Sequence, residues 1–335
     1  MKKVVCFGDF IVRINTCDQY KFMQTNQCEI NYTGAEANVC CNLSQFGMKT
    51  EFVTRLPQNM IADAAVATLK KNGVSTEFIA RGGARMGLFY VEPGADIRQS
   101  KVVYDRLGSG FTEATCSDFD WETILENAGA LVLSSITMAL SGNLRDICFA
   151  AAKVAKKKGV TVYLDVNYRS KLWTVEAAKA TIEEFLPYVD VLVTNEEHAQ
   201  LLLGIQSDIG EEDYEKRLED KSKQIAERYN IPNVVITVRR TLSADRYKIW
   251  ASCYRQNEFA MSRVYNLCAV DRIGSGDALT SGVVYALCNG FDTRKLIDFA
   301  VAACAIKHTV RNDVNYVELQ DVYNLMDEGR LEISR

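Results

Sequence analysis

Short apolar runs alternate with helical stretches along most of this chain, and that alternation restricts its fold more than any other feature. Val4–Phe7, Phe52–Leu56, Ala130–Ser134, Val160–Val166, Val189–Val193 and Val234–Val238 read as buried strands. Helical patterns cover Ala35–Phe46, Ala62–Lys71, Leu144–Lys157, Val175–Phe185, Glu196–Leu203 and Tyr214–Tyr229. A strand apolar on both faces must be covered on both. The order therefore predicts an α/β fold with a doubly wound, mostly parallel sheet and ligands at the carboxyl ends of its strands. Tyr247–Tyr254 reads as a hairpin strand and Thr293–His308 as a late helix.

Two stretches break the rhythm. Ile11–Tyr32 and Met86–Tyr104, the latter interrupted by Pro93-Gly94, alternate polar and apolar residues without a helical period. Each taken alone is an ordinary surface hairpin. Taken together, segments near 11–32 and 86–106 are expected to form a small β-sheet lid that excludes water from a reacting group. At 335 residues the chain is expected to be one α/β domain over 1–335 carrying this lid.

Composition excludes several classes. Hydrophobic residues make up 48% and charged residues 24%, which argues against disorder. A net charge of −4 argues against a nucleic-acid surface. No apolar run approaches the ~20 residues of a membrane span, and Met1-Lys2-Lys3 leads straight into a strand, unlike a secretory signal. Eleven cysteines without a CxxC pair fit a reducing, cytoplasmic setting. With only His198 and His308, a His-based zinc site or a His-dependent triad is not expected.

Asp271-Arg272-Ile273-Gly274-Ser275-Gly276-Asp277-Ala278 precedes a helix-like run to Leu287. Unpaired amides of Gly274, Ser275 and Gly276 and the positive helix end make such a turn an anion site, and Asp277 beside it is placed to take a hydroxyl proton. That pairing points to phosphoryl transfer from a nucleotide to an alcohol. An acidic residue in a first helical turn is also ordinary capping. The spacing D-x-x-G-small-G-D resembles the signature of the ribokinase-like sugar kinases, and the resemblance covers essentially the whole chain. It implies the ribokinase-like fold, ATP and Mg²⁺, and a small-molecule sugar substrate. It also implies a homodimer or higher homo-oligomer through the lid strands.

Further motifs sharpen it. Gly34-Ala35-Glu36-Ala37-Asn38-Val39 resembles the family's G-G-x-x-x-N sugar-binding turn, with Thr33 replacing the first glycine, a change expected to narrow the pocket. Tyr104 and Arg106 alternate onto one face of a lid strand, and Asp165-Val166-Asn167-Tyr168-Arg169 follows a buried strand. Arginine forks suit a carboxylate, so Arg106 and Arg169 point to an acidic sugar. Together these motifs resemble the 2-keto-3-deoxygluconate kinase branch, in which the tyrosine and arginines hold the sugar acid. Phe89 stands where that branch has a lid tyrosine, with Tyr90 expected on the opposite face.

The nucleotide side is implied by resemblance alone. Asn195 and Glu196 match the start of the N-x-x-E pattern that organises Mg²⁺, but His198 occupies the glutamate position. Arg240 and Ser243 replace the usual G-x-x-G turn, while Cys304 and His308 are expected to border adenine. Asp271 and carbonyls near it are expected to hold a monovalent cation such as K⁺. The alternatives are a kinase for a neutral sugar such as fructose, and a non-catalytic sugar-binding regulator.

Overall fold

The computed structural model describes residues 2–328; residue 1 and residues 329–335 of the expected 1–335 domain lie outside it. Fourteen strands are present among the described residues. They are β1 (Lys3–Phe7), β2 (Ile11–Thr16), β3 (Cys28–Thr33), β4 (Thr50–Leu56), β5 (Ile79–Arg81), β6 (Leu88–Glu92), β7 (Lys101–Asp105), β8 (Ala128–Ser134), β9 (Thr161–Asp165), β10 (Val191–Asn195), β11 (Asn233–Thr241), β12 (Arg246–Arg255), β13 (Glu258–Met261) and β14 (Tyr265–Cys268). The helices are α1 (Ala35–Gln45), α2 (Met60–Lys71), α3 (Trp121–Ile124), α4 (Ser135–Leu140), α5 (Gly142–Lys158), α6 (Val175–Phe185), α7 (Glu196–Leu203), α8 (Tyr214–Tyr229), α9 (Ser275–Cys288), α10 (Thr293–Lys307) and α11 (Leu319–Glu328).

The main sheet runs β13-β12-β11-β10-β9-β8-β1-β4-β5, with β14 also paired to β12. From β11 to β5 every pairing is parallel, and the hairpin strand β12 is antiparallel to β11. The chain winds from β1 towards β4 and later from β8 towards β11, so the order reverses between β1 and β8. A crevice opens at such a reversal because the two connections leave on opposite faces. Helices α1, α2, α9, α10 and α11 pack on one apolar face, and α3 with α5–α8 on the other.

The two irregular stretches form the expected small sheet, antiparallel within each stretch but joined by a parallel β2–β6 pairing. They make a separate four-stranded sheet, β3-β2-β6-β7, in which β2 joins both segments. Its inner face buries Ile11, Phe89 and Val91 against Ile273 of the glycine-rich turn. The lid therefore rests on that turn.

Candidate active site

Helix α9 begins at Ser275, with Gly274 as its N-cap at φ 84°. This left-handed conformation suits glycine, and a Cβ there would collide with the Asp313 carbonyl oxygen. The Ser275 amide reaches back to the Arg272 carbonyl at 3.3 Å. The Gly274, Gly276 and Asp277 amides have no backbone acceptor among the described residues. Ser275 is thus partly engaged, and the free donors are its neighbours. Gly276 meets open space where a side chain would stand, so an anion can approach the turn there.

Asp277 is buried, and its Oδ2 accepts a 2.7 Å bond from the Asn38 amide on α1. Burial pushes its carboxyl up to about 7; Asn38 and Arg169 pull it down, while Asp165 and Asp313 push further up. Asp165, at the end of β9, is raised by burial to about 6 and held down by Arg169. Gly34 caps α1 in extended backbone, so the reason for glycine is space: a side chain would strike the Asp9 carbonyl oxygen. Glu36 accepts from the Ser134 amide at 3.1 Å and from Thr137 at 2.7 Å, and burial raises its carboxyl to about 8. It clamps the start of α1 to the end of β8, at the crevice.

On the lid side, Phe89 stacks on Tyr104 with ring centroids 4.8 Å apart, and Arg106 lies 4.4 Å over the Tyr104 ring. Tyr90 turns the other way, towards Phe22. Arg106 also approaches Asp9 at 3.7 Å. Both Asp9 carboxylate oxygens are buried without a hydrogen-bond partner, and burial raises its pKa against the pull of Arg106. Buried polar atoms seldom stay unpaired, so this carboxylate suits hydroxyls of a ligand. Sequence reading missed Asp9, although its place just past the end of β1 was the available signal.

Thr33 is tied to the Asp313 and Asn38 side chains. Its hydroxyl is buried, donates to the Asp313 carboxylate and lies 3.3 Å from Asn38 Oδ1. Arg13, another missed residue, spans Asp313 and Asp271, with 2.9 Å to the latter. A continuous, largely buried chain thus joins Asp271, Arg13, Asp313, Thr33, Asn38 and Asp277.

On the nucleotide side, Asn195, Glu196, Arg240 and Ser243 have protein partners of their own. Asn195 Oδ1 caps α7 by accepting from the His198 amide at 2.7 Å. Glu196 lies 2.7 Å from Lys221 Nζ and 2.8 Å from the Tyr214 hydroxyl, with Arg217 and Arg240 at 3.6 and 3.9 Å. The Glu196 carboxylate is thus already engaged by three cations. His198 is tied through Nδ1 to the Val166 carbonyl at 2.9 Å. Arg240 lies near both the Tyr214 and Trp250 rings, on the α8 face. Ser243 donates to Asp245 at 2.5 Å, closing the β11–β12 turn.

Strand alternation sends the neighbouring Arg239 to the α10 face instead. It lies 5.9 Å from the Tyr247 ring, where burial lowers its pKa and the positive charges of Arg272 and Arg169 lower it further. Cys304 is buried beneath, its thiol raised by burial to about 12. His308 Nδ1 lies 2.8 Å from the Cys304 carbonyl, and Nε2 is buried with no partner. Burial lowers the His308 pKa to about 4, so the ring is neutral. Asp271, expected to hold a monovalent cation, is already paired with Arg13, and its main-chain oxygen faces Lys307 Nζ at 3.4 Å.

The chain is similar to known proteins along almost its whole length. The description "pfkB family carbohydrate kinase" matches residues 1–318. A solved 2-dehydro-3-deoxygluconokinase from Thermotoga maritima is 40% identical, with a TM-score of 0.93 over 97% of this chain and 98% of that one. A solved PfkB family carbohydrate kinase from Listeria grayi is 32% identical, with a TM-score of 0.92 over 98% and 100%. A 2-dehydro-3-deoxygalactonokinase from Haloferax volcanii is 28% identical over 333 residues, 99% of each chain. No helix among the described residues is long and apolar enough to cross a membrane.

Proposed function

The chain belongs to the pfkB family of carbohydrate kinases, and we propose that it phosphorylates a hydroxyl of 2-keto-3-deoxygluconate or a closely related sugar acid with ATP. The observation that carries this reading is Asp277: a buried carboxylate poised near neutrality, in the first turn of a helix where the Gly274 and Gly276 amides are free of backbone acceptors, and under the influence of Arg169. In the proposed step the substrate O–H gives its proton to Asp277. The oxygen then bonds to the γ-phosphorus, and the bond to the β-phosphate oxygen breaks with its electron pair leaving on ADP. The Gly274 and Gly276 amides donate to the transferring group, where a lost donor in comparable sites costs about 10²–10³ in rate.

Arg106 and Arg169 would hold the sugar carboxylate, with Tyr104 and Phe89 forming a flat wall behind it. Gly34, Asn38 and Asp9 would face the hydroxyls. Arg239 and Arg272 are better placed than Arg240 for the triphosphate, and the free His308 Nε2 for an adenine amino group. Magnesium would arrive as part of the nucleotide substrate, carried by phosphate oxygens. The Arg106–Asp9 approach favours one second reading, a neutral sugar held by Asp9 alone. An ADP-release screen over aldonic acids, 2-keto-3-deoxy acids and neutral sugars tests both readings. Turnover confined to the acids supports the proposal, and turnover of fructose but not the acids rejects it.

A further inference from the structure

The last residue of α10, Lys307, is fully buried, which is uncommon for a lysine. Its ammonium lies 3.1 Å from the Val310 carbonyl oxygen and 3.4 Å from that of Asp271. Burial pulls its pKa down, while the Asp271 and Asp313 carboxylates push it back up. The carbonyl pole of α10 favours a cation at this end of the helix. The His308 carbonyl, one residue on, accepts from the Val270 amide at 2.7 Å, so the two segments are stitched together here. On the far side of Asp271 stands Arg13, which also holds Asp313. Two buried cations and two carboxylates thus alternate behind the Gly274 turn.

Main-chain oxygens of this kind, beside a carboxylate, are what a monovalent metal ion requires. Here an ammonium already engages two of them and a guanidinium engages the carboxylate. The residues present therefore do not fit an exchangeable K⁺. We propose that Lys307, with Arg13, is a built-in cation that braces the Asp271–Gly276 turn against residues 310–313 and makes the protein independent of added monovalent ions. Lys307 is then a positioning residue: it touches no substrate and acts through the amides of the turn. The catalytic part of this inference rests on the kinase reading above.

The test compares K⁺, NH₄⁺ and tetramethylammonium chlorides at equal ionic strength, with each as the sole monovalent cation. Wild-type turnover is expected to agree within about twofold across the three. In Lys307→Ala the vacated oxygens should admit K⁺ or NH₄⁺. Turnover should fall by about 10²-fold in tetramethylammonium and recover in the two smaller ions. Without any substrate, the variant should melt at a higher temperature in K⁺ or NH₄⁺ than in tetramethylammonium, while the wild type shows no such difference. Strong K⁺ activation of the wild type would overturn the proposal, as would a variant whose melting ignores the ion. If Lys307→Ala does not fold, Lys307→Gln keeps a donor without the charge; wild-type kcat in that variant overturns the proposal, and a loss in kcat with unchanged KM supports it. The melting measurements need no turnover, so they separate this inference from a failure of the kinase reading.

Discussion

The Asn38 side-chain amide donates to Asp277 Oδ2 across 2.7 Å, linking the first turn of α1 to the first turn of α9. This bond favours the ionised carboxylate and opposes the burial that drives its pKa upward. In Asn38→Ala the kcat–pH profile should therefore shift to higher pH, with kcat at pH 7 lower by roughly tenfold. An unshifted profile would show that Asn38 does not tune the base.

The second prediction concerns pH and Asp277 itself. A base with a pKa near 7 is active when deprotonated, so kcat should rise with pH through about 7 and level off above it. Asp277→Asn should lose about 10²–10⁴ in kcat while sugar binding, measured calorimetrically, changes little. Stability carries the opposite sign. The folded state holds this proton more tightly than the unfolded chain, so stability falls as pH rises from the ordinary carboxylate range through about 7. The Asn variant lacks that loss and should melt above the wild type at pH 8.

Gly274 combines a left-handed φ with contact against the Asp313 carbonyl. Gly274→Ala must move one of them. A destabilisation of about 1–3 kcal/mol in urea unfolding is expected, with kcat reduced more than KM is raised. Gly276→Ala meets no protein atom, so it should melt like the wild type and lose turnover only by obstructing the phosphoryl group.

Arg239 and Arg240 offer an internal control, because adjacent strand residues face opposite sides. Arg239→Gln should raise KM for the nucleotide by about tenfold, since a charge-assisted bond to phosphate contributes about 1.5–3 kcal/mol. Arg240→Gln should leave it nearly unchanged and loosen only the Glu196 cluster. Equal effects in steady-state assays would contradict the assignment of faces.

Substrate charge is read most directly through Arg106 and Arg169. The double substitution to Gln should cut kcat/KM for a sugar acid by at least about 10²-fold, and affect a neutral sugar far less. A uniform loss on both substrates would mean that the arginines serve the fold rather than recognition.

Much of the architecture was legible because buried parallel strands and their helices carry strong local periods. Val175–Phe185, Glu196–Leu203 and Tyr214–Tyr229 coincide with helices of the structure. The lid was legible from broken rhythm, and Asp277 from its place in a helix start. Arg13, Thr33, Asp313 and Lys307 were not, because their roles depend on contacts between segments up to 300 residues apart. No local pattern encodes such partners. The choice between Arg239 and Arg240 met a different obstacle: parity is visible in sequence, but which face carries α10 is a tertiary fact. Glu196 fitted a motif by type, yet Lys221 of α8 occupies its carboxylate, and that helix lies beyond the motif's reach.

Arg13 belongs to β2, the strand shared by both halves of the small sheet, and its guanidinium is fastened to Asp271 and Asp313. That makes residue 13 a fulcrum. A swing of the outer strands β3 and β7 would pivot there, like a lever about a fixed pin. On the proposed reading, the wall beside the sugar would be free to shift while the turn proposed to receive the phosphoryl group stays in register.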